Sequence, residues 1–279
     1  MIDLHSHTTA SDGQHPPAEQ VALAARAGVT VLSVTDHDTT GGVLEAAAAA
    51  TSLGIRLIPG IEISILHNRR EVHILGHFID PTHAALQAHA VELKAERGGR
   101  MEEMIARLNR AGIAVTLEQV RQLAGSAPLA RPHLARALVE LNLCSSVKEA
   151  FDRWLGDGKL AHVMRKELTI AAAVTLIHQA GGTATLAHPG SSKVNPLELR
   201  QFAEAGLDGL EVGHVDHPPS LQEKLRALAQ ELHLVCTAGS DFHGKKVAPN
   251  RDFGQVTMRP AELAALEARA LTSTAPAGR

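Results

Sequence analysis

Two dipeptide clamps stand at opposite ends of the chain, His5-Ser6-His7 and Asp241-Phe242-His243. Along an extended chain, residues i and i+2 point to the same side, so each clamp can offer two ligands to one cation. One such pair alone is weak evidence and is as often a surface feature. Between them lie Asp12, His37, Glu62, His73 and His188, within a total of 17 histidines in 279 residues. If these groups converge, desolvation and like-charge repulsion oppose the arrangement unless something offsets them. Bound metal ions would do so.

Convergence needs elements that can deliver it. Strand patterns cover Ile2–Leu4, Thr30–Thr35, Arg56–Ile61, Glu71–Phe78, Thr183–Ala187, Gly209–Val212, Leu234–Ala238 and Gln255–Met258. Helical patterns lie around Ala18–Ala27, Val43–Leu53, Leu168–Ala180, Pro196–Ala205 and Leu221–Leu232, several ending at a glycine such as Gly28, Gly54, Gly181 or Gly206. This alternation predicts parallel strands joined by helical crossovers, in an open sheet or a closed barrel. It breaks between about Leu86 and Met164, where only helices are expected: one through Met104 and Ala111, then Leu117–Ala124, Pro132–Leu141 and Val147–Trp154. The expected organisation is a discontinuous barrel, 1–85 with 165–272, a helical insertion, 86–164, and a fraying tail, 273–279.

The candidate ligands fall at strand ends. His5 and His7 follow the first strand, Asp36, His37 and Asp38 the second, and Glu62 the third, while His73 lies in the fourth. His188, His214 and the Asp241/His243 pair follow later strands. In α/β barrels the carboxyl ends of the strands open onto one face, where active sites are built.

Composition narrows the function. A net charge of -3 provides no global field for nucleic acid or an anionic membrane, so phosphate recognition must be local. Five Phe, one Trp and no Tyr leave little for a base-stacking platform. Cys144 and Cys236 form no metal or redox spacing, which fits a reducing, cytoplasmic setting, and neither a signal peptide nor a membrane span is expected. No obligate protein partner is evident.

The motifs D-L-H-S-H-T…S-D-G (3–13), T-D-H-D (35–38), P-G-I-E (59–62), H-I-L-G (73–76), A-H-P (187–189) and G-S-D-F-H (239–243) resemble the polymerase and histidinol phosphatase (PHP) family, in the family's order. The resemblance implies a distorted seven-stranded (β/α)7 TIM-like barrel with two to three divalent metals, manganese first, iron or zinc otherwise. It implies one metal on His5, His7, Glu62 and Asp241, a second on Glu62, His73 and His188, and a third on Asp12, His37 and His243. Six imidazoles and three carboxylates suit borderline first-row metals rather than magnesium or calcium.

Ala130-Arg131-Pro132-His133 opens a helix, where proline is favourable and free N–H groups attract anions. Arg131 adds a fork for phosphate and His133 another donor. By itself the tetrapeptide reads more simply as a proline-started helix, and Lys159 in its Gly-rich turn as a solvated lysine. In context the chain resembles bacterial 3′,5′-nucleoside bisphosphate phosphatases, whose related members are 5′-to-3′ exoribonucleases. That resemblance implies that Arg131, His133 and Lys159 hold a nucleotide's second phosphate, and that short single-stranded RNA is a further substrate. Asp38 and His214 are the candidates for proton donation to the leaving oxygen, with holding the ligand side chains in place the alternative for each, and His217 reads as a surface residue. The rival readings are a histidinol-phosphate phosphatase, a polymerase proofreading module, an amidohydrolase, and a non-catalytic metal-bound RNA-binding protein.

Overall fold

The structure, a computed structural model, describes residues 1–125, 129–163 and 168–273. The chain forms two compact units, Met1–His89 with Glu167–Arg279, and Ala90–Lys166. Among the described residues no helix is long and apolar enough to cross a membrane.

The first unit is built on a seven-stranded sheet in sequence order: β1 (Ile2–Asp3), β2 (Val31–Val34), β3 (Arg56–His67), β4 (Arg70–His77), β5 (Thr183–Leu186), β6 (Gly209–Gly213) and β7 (Val235–Ala238). Helices α1 (Pro17–Arg26), α2 (Val43–Leu53), α7 (Ile170–Gln179), α8 (Pro196–Glu204) and α9 (Pro219–Glu231) connect successive strands. Beyond β1 and β7 the chain keeps bonding edge to edge. The Leu4 N–H donates to the Ala238 carbonyl at 3.1 Å, the Asp241 N–H to His5 at 2.9 Å, and the His7 N–H to Phe242 at 2.9 Å. These bonds bring the two edges together into a nearly closed barrel, and both dipeptide clamps lie on that seam.

One strand departs from the expected direction. β4 runs antiparallel to both β3 and β5, while the other four pairings are parallel. A parallel crossover needs a dozen or more residues, and only Asn68 and Arg69 separate β3 from β4. Both have positive φ, 50° and 63°, as a two-residue hairpin turn requires. The reversal matters for the site, because the amino end of β4 now lies level with the carboxyl ends of its neighbours. His73, early in β4, therefore sits beside Ala187, whose N–H donates to the His73 carbonyl at 3.0 Å. β3 also extends six residues past its expected end at Ile61.

Strand alternation sorts the side chains. Ile61, Ile63 and Ile65 of β3 pack outward with Ile74, Leu186, Leu210 and Phe202, and Glu62 and Ser64 take the other face. Val21, Ala24, Leu32, Val34, Ala46 and Ala50 form a second apolar layer under α1 and α2. The expected eighth strand does not form: over Gln255–Met258 the ladder is a single backbone bond, from the Met258 N–H to Ile2 at 3.0 Å, with the Thr257 hydroxyl accepting the Ile2 N–H. The chain then enters α10 (Pro260–Ser273), a helix the sequence patterns did not suggest.

The second unit holds α4 (Leu117–Ala124), α5 (Arg131–Glu140) and α6 (Val147–Ala150), with most of α3 (Ala84–Arg110), around Met104, Leu108, Leu134, Leu138 and Leu155. Thr116 and Gln119 cap α4 reciprocally. The helix expected through Trp154 instead relaxes after Ala150 into a π-helical turn, Phe151–Leu155, closed by the Gly156 N–H on the Phe151 carbonyl at 2.8 Å.

Gly239 tests the seam, because a Cβ there would lie 2.3 Å from the His5 Cβ and 2.6 Å from the His5 nitrogen. Gly239→Ala is expected to cost about 3 kcal/mol or more. Thermal denaturation should show a Tm lowered by roughly 6–10 °C. Gly98→Ala, in a helix with nothing near the added methyl, should raise it slightly.

Candidate metal centre

The segments after β1, β2, β5 and β7, together with β3 and β4 themselves, contribute to one cluster. The side chain of Glu62 is 1% exposed and collects imidazoles on both oxygens. Oε2 lies 3.3 Å from His5 Nε2, 3.1 Å from His7 Nε2 and 3.2 Å from His37 Nδ1. Oε1 lies 3.0 Å from His73 Nδ1 and 3.2 Å from His188 Nε2. Asp241 Oδ1 repeats the pattern with His5 Nε2 at 3.3 Å, His7 Nε2 at 3.2 Å and His243 Nδ1 at 3.4 Å. Asp12, half exposed at the mouth, is 3.4–3.7 Å from ring nitrogens of His7, His37 and His243.

These spacings suit cations. Two donors each about 2.1 Å from one ion stand roughly 3.0–3.4 Å apart, along an octahedral or tetrahedral edge. His5 Nε2 and His7 Nε2 face each other at 3.1 Å, an arrangement that needs a proton or a cation to share. Glu62 Oε2, Asp241 Oδ1 and ring nitrogens of His7, His37, His73 and His188 are buried with no hydrogen-bond donor or acceptor of good geometry. Among the described residues, four overlapping sets could each hold an ion: His7/Asp12/His37/His243, His5/His7/Asp241, His5/Glu62/His188 and His37/Glu62/His73. All nine residues expected as ligands are thus brought together. The sets overlap rather than separate: His7 reaches Asp12 as well as Asp241, and His37 reaches Glu62. A cavity of about 200 Å³ opens beside them, lined by His37, Glu62, His73, His188, Ser191, Asp241, His243 and Arg251. It has room for a phosphate group.

Burial works against every charge in this cluster, and the neighbours decide the outcome. Burial would raise Glu62, but His37, His5 and His73 hold it well below the carboxylate range. Burial would lower His7 and His73, yet the close carboxylates of Asp241 and Glu62, 3.2 and 3.1 Å from its Nε2, lift His7 to about 9, and the Glu62 charge lifts His73 to about 10. For His37 burial prevails, and its pKa falls to about 4. Without metal, protons on some of the imidazoles balance the carboxylates.

Supporting groups surround the cluster. Asp36 accepts the Thr8 N–H and hydroxyl, both at 2.7 Å, and the Ser11 hydroxyl at 2.7 Å, shaping the loop from His7 to Asp12. Asp38, at φ 55°, accepts the Ser64 N–H at 2.9 Å, so its carboxylate braces β3. His214 is fully buried; its Nδ1 accepts the Asp216 N–H at 3.1 Å, so Nε2 carries the proton and donates to Asp241 Oδ2 at 3.4 Å. His217 is not a surface residue. It is 3% exposed, donates from Nδ1 to the Val212 carbonyl at 3.0 Å and accepts the Gly190 N–H at 3.2 Å, tying the His188 loop to β6.

Two residues near the cluster escaped sequence reasoning. Arg251 pairs with Asp241 and with Asp216. Glu211, buried in β6, accepts from His5 Nδ1 at 2.9 Å and from the His188 N–H at 2.7 Å. Arg251 had no motif to flag it; Glu211 stood in an ordinary strand, where only a charged residue amid apolar neighbours hinted at a role.

In the second unit, Arg131 donates to Asp157 Oδ1 at 2.9 Å with its guanidinium 5.8 Å from the Phe151 ring centre. His133 Nδ1 accepts the Ala130 N–H at 3.2 Å, leaving Nε2 as the donor. Lys159 shares the turn with Asp157, its N–H donating to Gly156.

Fold and site together define an α/β barrel that gathers imidazoles and carboxylates at one mouth. A family model for the PHP domain matches residues 3–117. The chain is 38% identical over 249 residues to the 5′-3′ exoribonuclease Rnm of Escherichia coli, covering 87% of this chain and 85% of that protein. It is 37% identical over 250 residues to a 3′,5′-nucleoside bisphosphate phosphatase of Chromobacterium violaceum, covering 87% of each. Among solved structures it is similar to an amidohydrolase from Chromobacterium violaceum with sulfate bound and no metal (34% identity, 96% of each chain, TM-score 0.76). It is also similar to a candidate metal-dependent phosphoesterase from Bifidobacterium adolescentis (28% identity, 96% and 95% of the chains, TM-score 0.76). The chain belongs to the PHP domain family.

The protonation pattern makes a pH prediction. His7 and His73 titrate above the free-imidazole value of 6.5, so the stability they add is complete below about pH 6.5 and is lost as pH climbs through about 9 and 10. Metal-free protein should therefore lose Tm between pH 7 and 10, and metal-loaded protein should lose less. Metal uptake at pH 7.5 should release protons, read as a calorimetric enthalpy that changes with the buffer. Identical enthalpies in phosphate-free buffers of different ionisation heat would contradict the assignment.

Proposed function

We propose that this chain, a metal-dependent phosphoesterase, removes the 5′-phosphate from nucleoside 3′,5′-bisphosphates such as 3′-phosphoadenosine 5′-phosphate, and also degrades short 5′-phosphorylated RNA from its 5′ end. The convergence of nine ligand-type side chains, Glu62 among them, carries this reading. We assign His5, His7, Glu62 and Asp241 to one ion, Glu62, His73 and His188 to a second, and Asp12, His37 and His243 to a third, with manganese the first choice. Three divalent ions would bring roughly six positive charges against three carboxylates, a surplus that attracts a phosphate dianion. Bound ions supply Lewis-acid charge at the phosphoryl oxygens and make water available as a nucleophile near neutral pH.

The chain's own groups do the rest. Arg251, on the cavity wall and paired with Asp241, adds fixed positive charge beside the entering phosphate. His214 holds Asp241, and its hydrogen bonds support orientation of that carboxylate; Asp38 holds β3, which carries Glu62. The helical insertion, 86–164, is assigned to the second phosphate, through the Arg131 fork, the His133 Nε2–H and Lys159. Arg131 is partnered by a mostly exposed Asp157, and an exposed ion pair gives way to a phosphate at little cost. Support comes from the relatives named for a bisphosphate phosphatase and an exoribonuclease, and from a neighbour that binds sulfate, a tetrahedral dianion like phosphate. Free Cys144 and Cys236 fit a reducing cytoplasm.

Manganese-loaded protein should release phosphate from 3′-phosphoadenosine 5′-phosphate at least tenfold faster than from histidinol phosphate. Glu62→Gln should lower kcat by roughly a thousandfold, as expected for a group shared by the proposed ion sites. Arg131→Ala should raise KM for the bisphosphate by roughly tenfold or more and leave p-nitrophenyl phosphate turnover within about twofold, the mark of binding confined to the second phosphate. No phosphate from any of these substrates or from RNA, with metal bound, would overturn the nucleotide assignment.

A further inference from the structure

Glu211 accepts hydrogen bonds from two candidate ligand segments at once. Its carboxylate is buried in the middle of β6, with Oε1 2.9 Å from His5 Nδ1 and Oε2 2.7 Å from the His188 backbone nitrogen. Each contact has a distinct consequence. A carboxylate can only accept, so His5 keeps a proton on Nδ1, and Nε2, which faces His7, Glu62 and Asp241, is left as the nitrogen that could take an ion. The second contact falls on a strained residue. His188 has φ 24°, a left-handed value that a non-glycine residue adopts only when its surroundings impose it. The hydrogen bond to Glu211 is part of that imposition, and it directs the His188 ring so that Nε2 lies 3.2 Å from Glu62 Oε1.

We propose that Glu211 is a positioning residue that sets the His5 tautomer and the His188 backbone together, so that one buried carboxylate prepares ligands on both sides of Glu62. This inference rests on the metal reading of the site. It predicts an unusual result for an isosteric change. In Glu211→Gln, the amide oxygen can still accept the His188 N–H, which leaves the amide NH2 facing His5 Nδ1. That NH2 must donate, so Nδ1 becomes the acceptor and His5 places its proton on Nε2, where an ion would bind.

The experiment is zinc titration of wild type, E211Q and E211D, joined to ¹⁵N and ¹H spectra of His5, assigned with a His5→Gln variant. Wild type should show a hydrogen-bonded Nδ1 proton far downfield, with or without zinc, and Nε2 bound to metal when zinc is present. E211Q should lose about 10–100-fold in zinc affinity, with His5 Nε2 protonated and metal-free, as observed generally when a partner of a metal-bound histidine is removed. E211D, which can still only accept, should regain part of that affinity. Zinc affinity in E211Q within twofold of wild type, or no hydrogen-bonded Nδ1 proton in the wild type, would overturn the proposal. The wild-type resonance decides the matter even if E211Q fails to fold. A wild type that shows this proton and takes up no zinc would overturn the metal reading instead.

Discussion

A carboxylate buried among five imidazoles is the constraint to which the rest of the barrel answers. Glu62 has almost no access to water, and its charge must be balanced by groups delivered from other parts of the chain. His5 and His7 arrive after β1, His37 after β2, His73 on β4 and His188 after β5. Each arrives on backbone that other hydrogen bonds already hold: the Glu62 N–H donates to Asp36, the Asp38 N–H to Glu62, and Asp38 in turn accepts from Ser64. Three residues at the site, Asp38, His188 and Asp241, have positive φ. A neighbouring strand or carboxylate fixes each of them, which is how such conformations persist at functional sites.

Barrel closure and the reversal of β4 follow from the same need. The seam between the segments after β1 and β7 places His5, His7, Asp241 and His243 side by side, although more than 230 residues separate the two clamps. A parallel β4 would carry His73 away from the carboxyl-end face, because the residue lies near the start of its strand. Running antiparallel, β4 delivers it to Glu62. The two-residue turn at Asn68 and Arg69 is therefore as much a part of the site as the ligands are.

What could be read from the residues alone divides along a physical line. The convergence of the candidate ligands was legible because strand alternation and strand-end placement are local properties, carried by spacings such as His5-Ser6-His7 and by the position of Glu62 after Pro59-Gly60. The direction of β4 was in principle legible too, from the short link before it, but the regular alternation of strands and helices elsewhere favoured parallel pairing. Glu211, Arg251 and His217 were not legible as parts of the site. Their significance comes from what they touch across the barrel, and a glutamate in a strand or a histidine after it looks the same in sequence whether it braces a ligand or faces water. The π-helical turn at Phe151–Leu155 likewise follows from how the chain leaves α6, which helical periodicity does not register.

The most direct test of the account is anomalous diffraction from crystals grown with manganese. The account predicts peaks at the barrel mouth within about 2.0–2.4 Å of Glu62 oxygens and of imidazole nitrogens from both the His5/His7 and the His73/His188 sides. An ordered His5–Glu62–Asp241 cluster with no manganese peak, in crystals where manganese is bound elsewhere, would contradict it.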